Sequence, residues 1–158
     1  MLTQCAELTC GQFHPDGMLF ICGGTSTSLL VYNVKTGESV ATLDTSAPIR
    51  NISFSENGLW LAYVPTNSTT VSILNLRNSK TVHTADIESE VRKATWDHSG
   101  QYLAIAGAGC VVVEHYDKTT KSWSEPLRKA VNTVDVKWGP NATSLIALNT
   151  DGALVALG

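Results

Sequence analysis

Charge is scarce in this sequence: Asp, Glu, Lys and Arg make up 16% of its 158 residues, and the net charge is only −3. With so small a surplus of either sign, no strong pull toward DNA, RNA or an anionic membrane is expected. Long apolar runs are missing; none approaches the roughly 20 residues that a membrane-crossing helix needs. The opening MLTQCAELTC has no basic region followed by an apolar stretch, so a secretory signal is not expected. Cysteine occurs four times, as Cys5, Cys10, Cys22 and Cys110, never at the short spacing of a zinc site or a redox motif. These read as reduced structural thiols in an intracellular compartment. No segment carries a sustained 3.6-residue apolar period or a heptad run, so neither a helical domain nor a coiled coil is expected. The hydrophobic share of 43% is still too high for a disordered chain.

The positive signal is a repeat. The segments CGQFHPDGMLFICGG, ISFSENGLWLAYV and ATWDHSGQYLAIAG each give an apolar strand, an aromatic residue, a turn ending in Gly, and a second apolar strand. VDVKWGPNATSLIAL follows the same plan with a longer turn. The aromatic anchors Phe13, Phe54, Trp96 and Trp138 are spaced by 41, 42 and 42 residues, and Gly17, Gly58 and Gly100 keep the same step. Tyr32-Asn33, Leu74-Asn75 and Tyr116-Asp117 recur in phase where a WD repeat carries its Trp-Asp pair. A period near 42 in this arrangement is that of the four-stranded propeller blade. An all-β WD-repeat β-propeller of about four blades is therefore expected over residues 1–158. The blades fall near 8–43, 49–85, 91–127 and 131–158, the last with three strands. The outer strand of the third blade is expected as one run, Ser122–Leu127. The turns His14-Pro15-Asp16-Gly17 and Ser55-Glu56-Asn57-Gly58 place glycine last, where a positive φ is easiest.

Four blades fall short of the commonest seven-bladed ring, which needs about 290–300 residues. The chain is thus expected to be the C-terminal part of such a ring. The remaining blades or oligomerisation would then cover its open faces, and the isolated chain would tend to aggregate or associate.

The runs LTCGQFHPDGMLF (Leu8–Phe20), ISFSENGLWLA (Ile52–Ala62) and HSGQYLAIAG (His98–Gly107), in this order and phase, resemble the C-terminal propeller of the pre-mRNA-processing factor nineteen family. Members of that family are splicing-associated U-box ubiquitin ligases. The resemblance covers the chain from about Glu7 to Leu157. It implies a nuclear protein of the spliceosome's nineteen complex, with a role in the ubiquitin-conjugation pathway and in DNA repair. The propeller is the part that binds partners and substrates. The catalytic U-box and the tetramerising coiled coil are not in this sequence, so this segment is expected not to be an enzyme. Two general WD-repeat features are missing: the Gly-His pair before each blade, and the tight-turn Asp between second and third strands, apart from Asp151.

Sites of other kinds are weak. His14, His83, His98 and His115 lie in different strands and turns without metal-ligand spacing, so no metal is expected. Gly23-Gly24-Thr25-Ser26-Thr27-Ser28 lacks the Lys and the following helix of a phosphate loop and reads as a hairpin loop. No Ser sits in a Gly-x-Ser-x-Gly context, and no cofactor is expected. The glycosylation-like triplets at Asn51, Asn67 and Asn141 read as chance. Trp60 and Trp123 read as packing between blades.

The better candidates lie in the connections entering each inner strand, which a propeller gathers on one face. They are Arg50; Glu88, Glu90, Arg92 and Lys93; and Arg128, Lys129 and Asn132. Arg suits such a surface because its planar fork makes several hydrogen bonds. The expected function is a protein-interaction scaffold whose partners are splicing-complex subunits and ubiquitylation substrates, with RNA contacted only indirectly. The alternative is a WD-repeat adaptor of another pathway, such as a cullin-ligase receptor or a trafficking scaffold.

Overall fold

A computed structural model describes residues 7–140 and 144–157. Cys5 and the triplet at Asn141 lie outside these residues. The described chain is sixteen strands in four antiparallel sheets, without an α-helix. The first sheet runs β1 (Leu8–Phe13), β2 (Leu19–Gly24), β3 (Ser28–Asn33), β4 (Ser39–Asp44) in spatial order. The second repeats this as β5 (Ile49–Phe54), β6 (Trp60–Pro65), β7 (Thr70–Asn75) and β8 (Lys80–Asp86). The third has β9 (Val91–Trp96), β10 (Tyr102–Gly107) and β11 (Cys110–Asp117), with β12 (Ser122–Trp123) and β13 (Leu127–Lys129) both on the outer side of β11. The fourth is β14 (Thr133–Trp138), β15 (Leu145–Asn149) and β16 (Leu154–Leu157).

The expected single strand Ser122–Leu127 is two short strands. β12 pairs Trp123 with Tyr116, whereas β13 pairs Leu127 with Val113, so the register slips by one residue between them. Pro126 lies in the gap. It has no N–H to give to a ladder, and it interrupts the outer strand where a bulge takes up the extra residue. β13 also runs on to Lys129, beyond the expected end.

The first strands of successive sheets lie side by side, β1 on β5, β5 on β9 and β9 on β14. The sheets therefore stack like blades, and the core lies between them. Ile21, Leu29 and Val31 of the first sheet meet Ile52, Phe54 and Leu74 of the second. Ala62, Val71 and Ile73 of the second meet Ala94, Trp96 and Val112 of the third. Ala104, Ala106 and Val111 of the third meet Val136, Leu145 and Ala147 of the fourth. The anchors Phe54 and Trp96 are buried in these layers, whereas Phe13, on the first sheet, is 58% exposed.

The period is written into the backbone as well. Gly17, Gly58 and Gly100 all have φ between 66° and 72°. Gly37, Ser79 and Lys121, also 42 residues apart, share a left-handed turn position with φ of 71°, 54° and 55°. Only the first of these three is glycine, so the turn geometry outlasts the residue that suits it best.

Candidate interaction surface

One end of the molecule collects the connections between sheets and the turns between second and third strands. Backbone bonds tie them together. Thr45 donates to Thr27 O at 2.9 Å and Ile87 to Thr69 O at 3.0 Å, while Thr66 donates to Pro48 O at 2.8 Å and Ala108 to Glu90 O at 3.0 Å. The first two connections are thus each held by the turn before and the turn after.

At the same end, every first strand carries a bulge in the same place. The pairing skips Thr9 in β1, Arg50 in β5, Arg92 in β9 and Val134 in β14. A bulge leaves its extra residue unpaired and re-aims its side chain. Here three of the four reach into the next blade. Thr9 Oγ1 donates to Ile49 O at 2.7 Å, and Arg50 Nη1 meets Glu90 Oε1 at 2.7 Å. Arg92 Nη1 donates to Thr133 O at 2.9 Å and to Asn132 Oδ1 at 3.3 Å. Further along the strands, Gln12 Oε1 accepts the Phe54 N–H, Asn51 Oδ1 the Ala94 N–H and Ser53 Oγ the Trp96 N–H. Side chains one repeat apart therefore satisfy backbone donors that the sheets' own ladders leave over.

Of the eight candidate residues, the structure brings together Arg50 with Glu90 and Arg92 with Asn132. The Arg50–Glu90 ion pair is two-fifths to a half exposed. Such a surface pair contributes about 0–1 kcal/mol, so its guanidinium stays accessible to a partner at little cost. Asn132 also accepts the Gly109 N–H and donates to Thr150 Oγ1. Lys93 belongs to a different row: it lies in a paired position and reaches Asp135 Oδ1 at 2.6 Å. Arg128 turns its guanidinium to the Ile87 carbonyl at 3.0 Å and so braces the 86–90 connection. Glu88 stands exposed in that connection with a left-handed backbone, φ 60°, its N–H held by Asp86 Oδ1 at 2.9 Å. Lys129 is exposed on β13 and makes no ion pair among the described residues. Thr9 was missed by the sequence reading. Its place four residues before the anchor Phe13, as Arg50 stands four before Phe54, was the available signal.

The four histidines stay apart. His14 Nε2 bonds the Gly58 carbonyl at 2.7 Å, and His98 is exposed. His83 lies flat on Trp123 with its Nε2 3.4 Å from the buried carboxylate of Glu114, and His115 stacks on Tyr102. Among the described residues no three His, Cys, Asp or Glu groups converge as metal ligands. Burial pushes the Cys10 thiol above its ordinary pKa, the reverse of what a nucleophile needs. A cavity of about 390 Å³ opens between the third and fourth sheets, lined by Tyr102, Val111, Val113, Leu127 and Trp138 among others.

No protein-family model matches the chain. It is 26% identical over 160 residues to Pre-mRNA-processing factor 19 of Schizosaccharomyces pombe, covering 99% of this chain and 33% of that protein. It is 38% identical over 68 residues to the Pre-mRNA-processing factor 19 of Oryza sativa subsp. japonica, covering 39% of this chain and 13% of that protein. The chain thus spans at most about a third of the length of these relatives. Among solved structures, it superposes on the Swd1 β-propeller domain of Myceliophteria thermophila with a TM-score of 0.80 at 17% identity, covering 98% of this chain and 52% of that one. It superposes on Kuenenia stuttgartiensis hydrazine synthase with a TM-score of 0.77 at 14% identity, covering 98% and 47%. These two show the fold alone. The chain folds as about four blades of a β-propeller and is similar in sequence along nearly its whole length to Pre-mRNA-processing factor 19 of fission yeast.

Proposed function

We propose that these blades are a partner-docking part of a splicing-associated ubiquitin ligase resembling Pre-mRNA-processing factor 19, acting in the nucleus within a longer propeller. The observation that carries this reading is the similarity to the fission-yeast protein across 99% of the chain. The geometry supports a docking role rather than a chemical one. The bulge residues and connections present Arg50, Glu88, Glu90 and Lys129 on a frame held by backbone bonds, and loops on a rigid frame suit recognition. Exposed Phe13 on the first sheet and Leu154 on the fourth support a longer ring, whose further blades would cover them. Ubiquitin transfer itself would belong to parts outside this sequence.

The test is recovery of partners from nuclear extract on the immobilised chain, identified by mass spectrometry. Splicing-complex subunits are expected, and a Glu88→Ala/Lys129→Ala variant with an unchanged melting curve should recover fewer of them. Recovery of no splicing protein by a correctly folded chain overturns the reading.

A further inference from the structure

The outer edges of the blades differ in how they are guarded. An outer strand lies on the circumference however many blades a ring holds, and its free side shows unpaired N–H and C=O groups. Proteins usually blunt such edges with Lys, Pro or a bulge. In the third blade the edge is broken at Pro126 and carries Arg128 and Lys129. In the second, β8 opens on Lys80. The edge of the first blade, β4 with sequence SVATLD, has no Lys, Arg or Pro, and its bulge falls at Val40, before the regularly paired stretch Ala41–Asp44. All of it is exposed except Leu43, and Val40 is 53% exposed.

The free hydrogen-bonding groups can be assigned. Thr45 N–H bonds Thr27 O, and β3 and β4 keep one register from Asp44 back to Ala41. Ladder bonds alternate along an antiparallel pair, so Leu43 and Ala41 bond inward to β3, while Thr42 and Asp44 point their N–H and C=O outward. This short template is flanked by acids, Glu38 before it and Asp44 at its end, and neither makes an ion pair among the described residues.

We propose that the β4 edge is a strand-addition site for an extended segment of another protein, about six residues long, apolar or β-branched at alternate positions and basic at both ends. Charge decides between this occupant and a second copy of the chain. Antiparallel overlap of two such edges sets Glu38 against Asp44 at both ends, and parallel overlap sets each acid against itself. Like charges directly opposite destabilise a strand pair, whereas Lys or Arg at the ends of an incoming strand meets both acids favourably. The main chain supplies the affinity and the two carboxylates supply the selection.

The test uses the full chain and two labelled peptides, KTVTVTK and ETVTVTE, followed by fluorescence anisotropy and amide hydrogen exchange. The basic peptide should bind saturably, more weakly as salt rises, and should slow exchange at Thr42 and Asp44. The acidic peptide should not bind. Thr42→Pro removes an outward N–H without losing a ladder bond and should weaken binding at least about tenfold, which is 1.4 kcal/mol. If that variant melts early, Val40→Lys, which places a like charge beside the incoming strand, should do the same. Glu38→Gln with Asp44→Asn should abolish the preference between peptides while keeping the Asn side chain as acceptor for the Ser46 N–H. Equal binding of both peptides, or exchange at Thr42 and Asp44 unmoved by the basic one, overturns the proposal. So does protection of those amides that grows with protein concentration alone, which would mean that a second copy takes the edge.

Discussion

The junction between the second and third sheets and the junction between the third and fourth are built from the same repeat, and one is filled where the other is open. In the first, Trp60, Trp96, Tyr116 and Trp123 form a continuous aromatic layer with ring centroids 4.7–6.2 Å apart, and His83 stacks on Trp123 at 4.1 Å. In the second, Tyr102 stands one repeat after Trp60 and Trp138 one repeat after Trp96, their rings 6.2 Å apart. No described residue takes the part of Trp123, and the cavity lies where these two rings meet β13 and β16. Tyr102, Trp138 and His115, which stacks on Tyr102 at 4.5 Å, do not fill the space between these blades; in the filled junction the Trp123 ring from the outer strand closes it.

The largest expected break in this comparison is Trp96→Ala. Its side chain is buried in the filled junction, and its loss should cost about 3–5 kcal/mol in a denaturant melt. Trp138→Ala should cost less, about 2 kcal/mol, because its ring already borders open space; most of that is packing, with a part from the bond of its Nε1 to Thr95 O. Equal losses would show that the two junctions are packed alike in solution. A smaller pair sharpens the contrast on one strand. Val112 and Val113 are neighbours on β11, with Val112 buried against the second sheet and Val113 lining the cavity. Val112→Ile should destabilise by about 1–3 kcal/mol through overpacking. Val113→Ile should stabilise by about 0.5–1 kcal/mol by filling space. Opposite signs in thermal melts are the expected outcome.

The smallest effect concerns the turn that presents Trp123. The N–H groups of Thr119 and Thr120 bond Asp117 and hold its carboxyl below the usual carboxylate range. A lowered folded pKa means stability that is complete above the ordinary carboxylate range and lost as pH falls through the folded value. Amide exchange at Thr119 and Thr120 should therefore quicken in acid while the buried β10 amides stay protected. Exchange that rises equally in both would tie the acid effect to global unfolding.

Much of this was legible beforehand. The anchors Phe54, Trp96 and Trp138 repeat because each junction needs a ring at the same height. Trp60 and Trp123 were readable as packing residues because both fall in strand-like runs. Other features left little trace. The left-handed turn position holds Gly37, Ser79 and Lys121 in turn, since an exposed turn tolerates a modest backbone strain that several residue types can bear. The bulge position holds Thr9, Arg50, Arg92 and Val134, because a bulge is a matter of register and constrains the side chain weakly. The contact of His83 with Glu114 joins the outer strand of the second blade to the third strand of the next, and neither residue recurs in the other blades. The break at Pro126 was visible as a residue but not as a slip of register. Among the candidate surface residues, the contacts each side chain makes were not legible: Arg128 was expected at an exposed connection, and its guanidinium turns back onto the Ile87 carbonyl.

The bulge clasps have a consequence for how such a chain changes over generations. Each links a residue to one 40 or 41 positions later, and never across two blades. Duplicating or deleting one whole period leaves the distant clasps as they are and gives the clasp at the edit a new partner at the same spacing. Losing a single residue in a connection shifts one clasp out of reach and leaves the others intact. The molecule is thus tolerant of large edits and sensitive to small ones, so lineages carrying it should differ by entire blades or by surface residues, and seldom by one or two residues between Asp44 and Ile49 or between Asp86 and Val91.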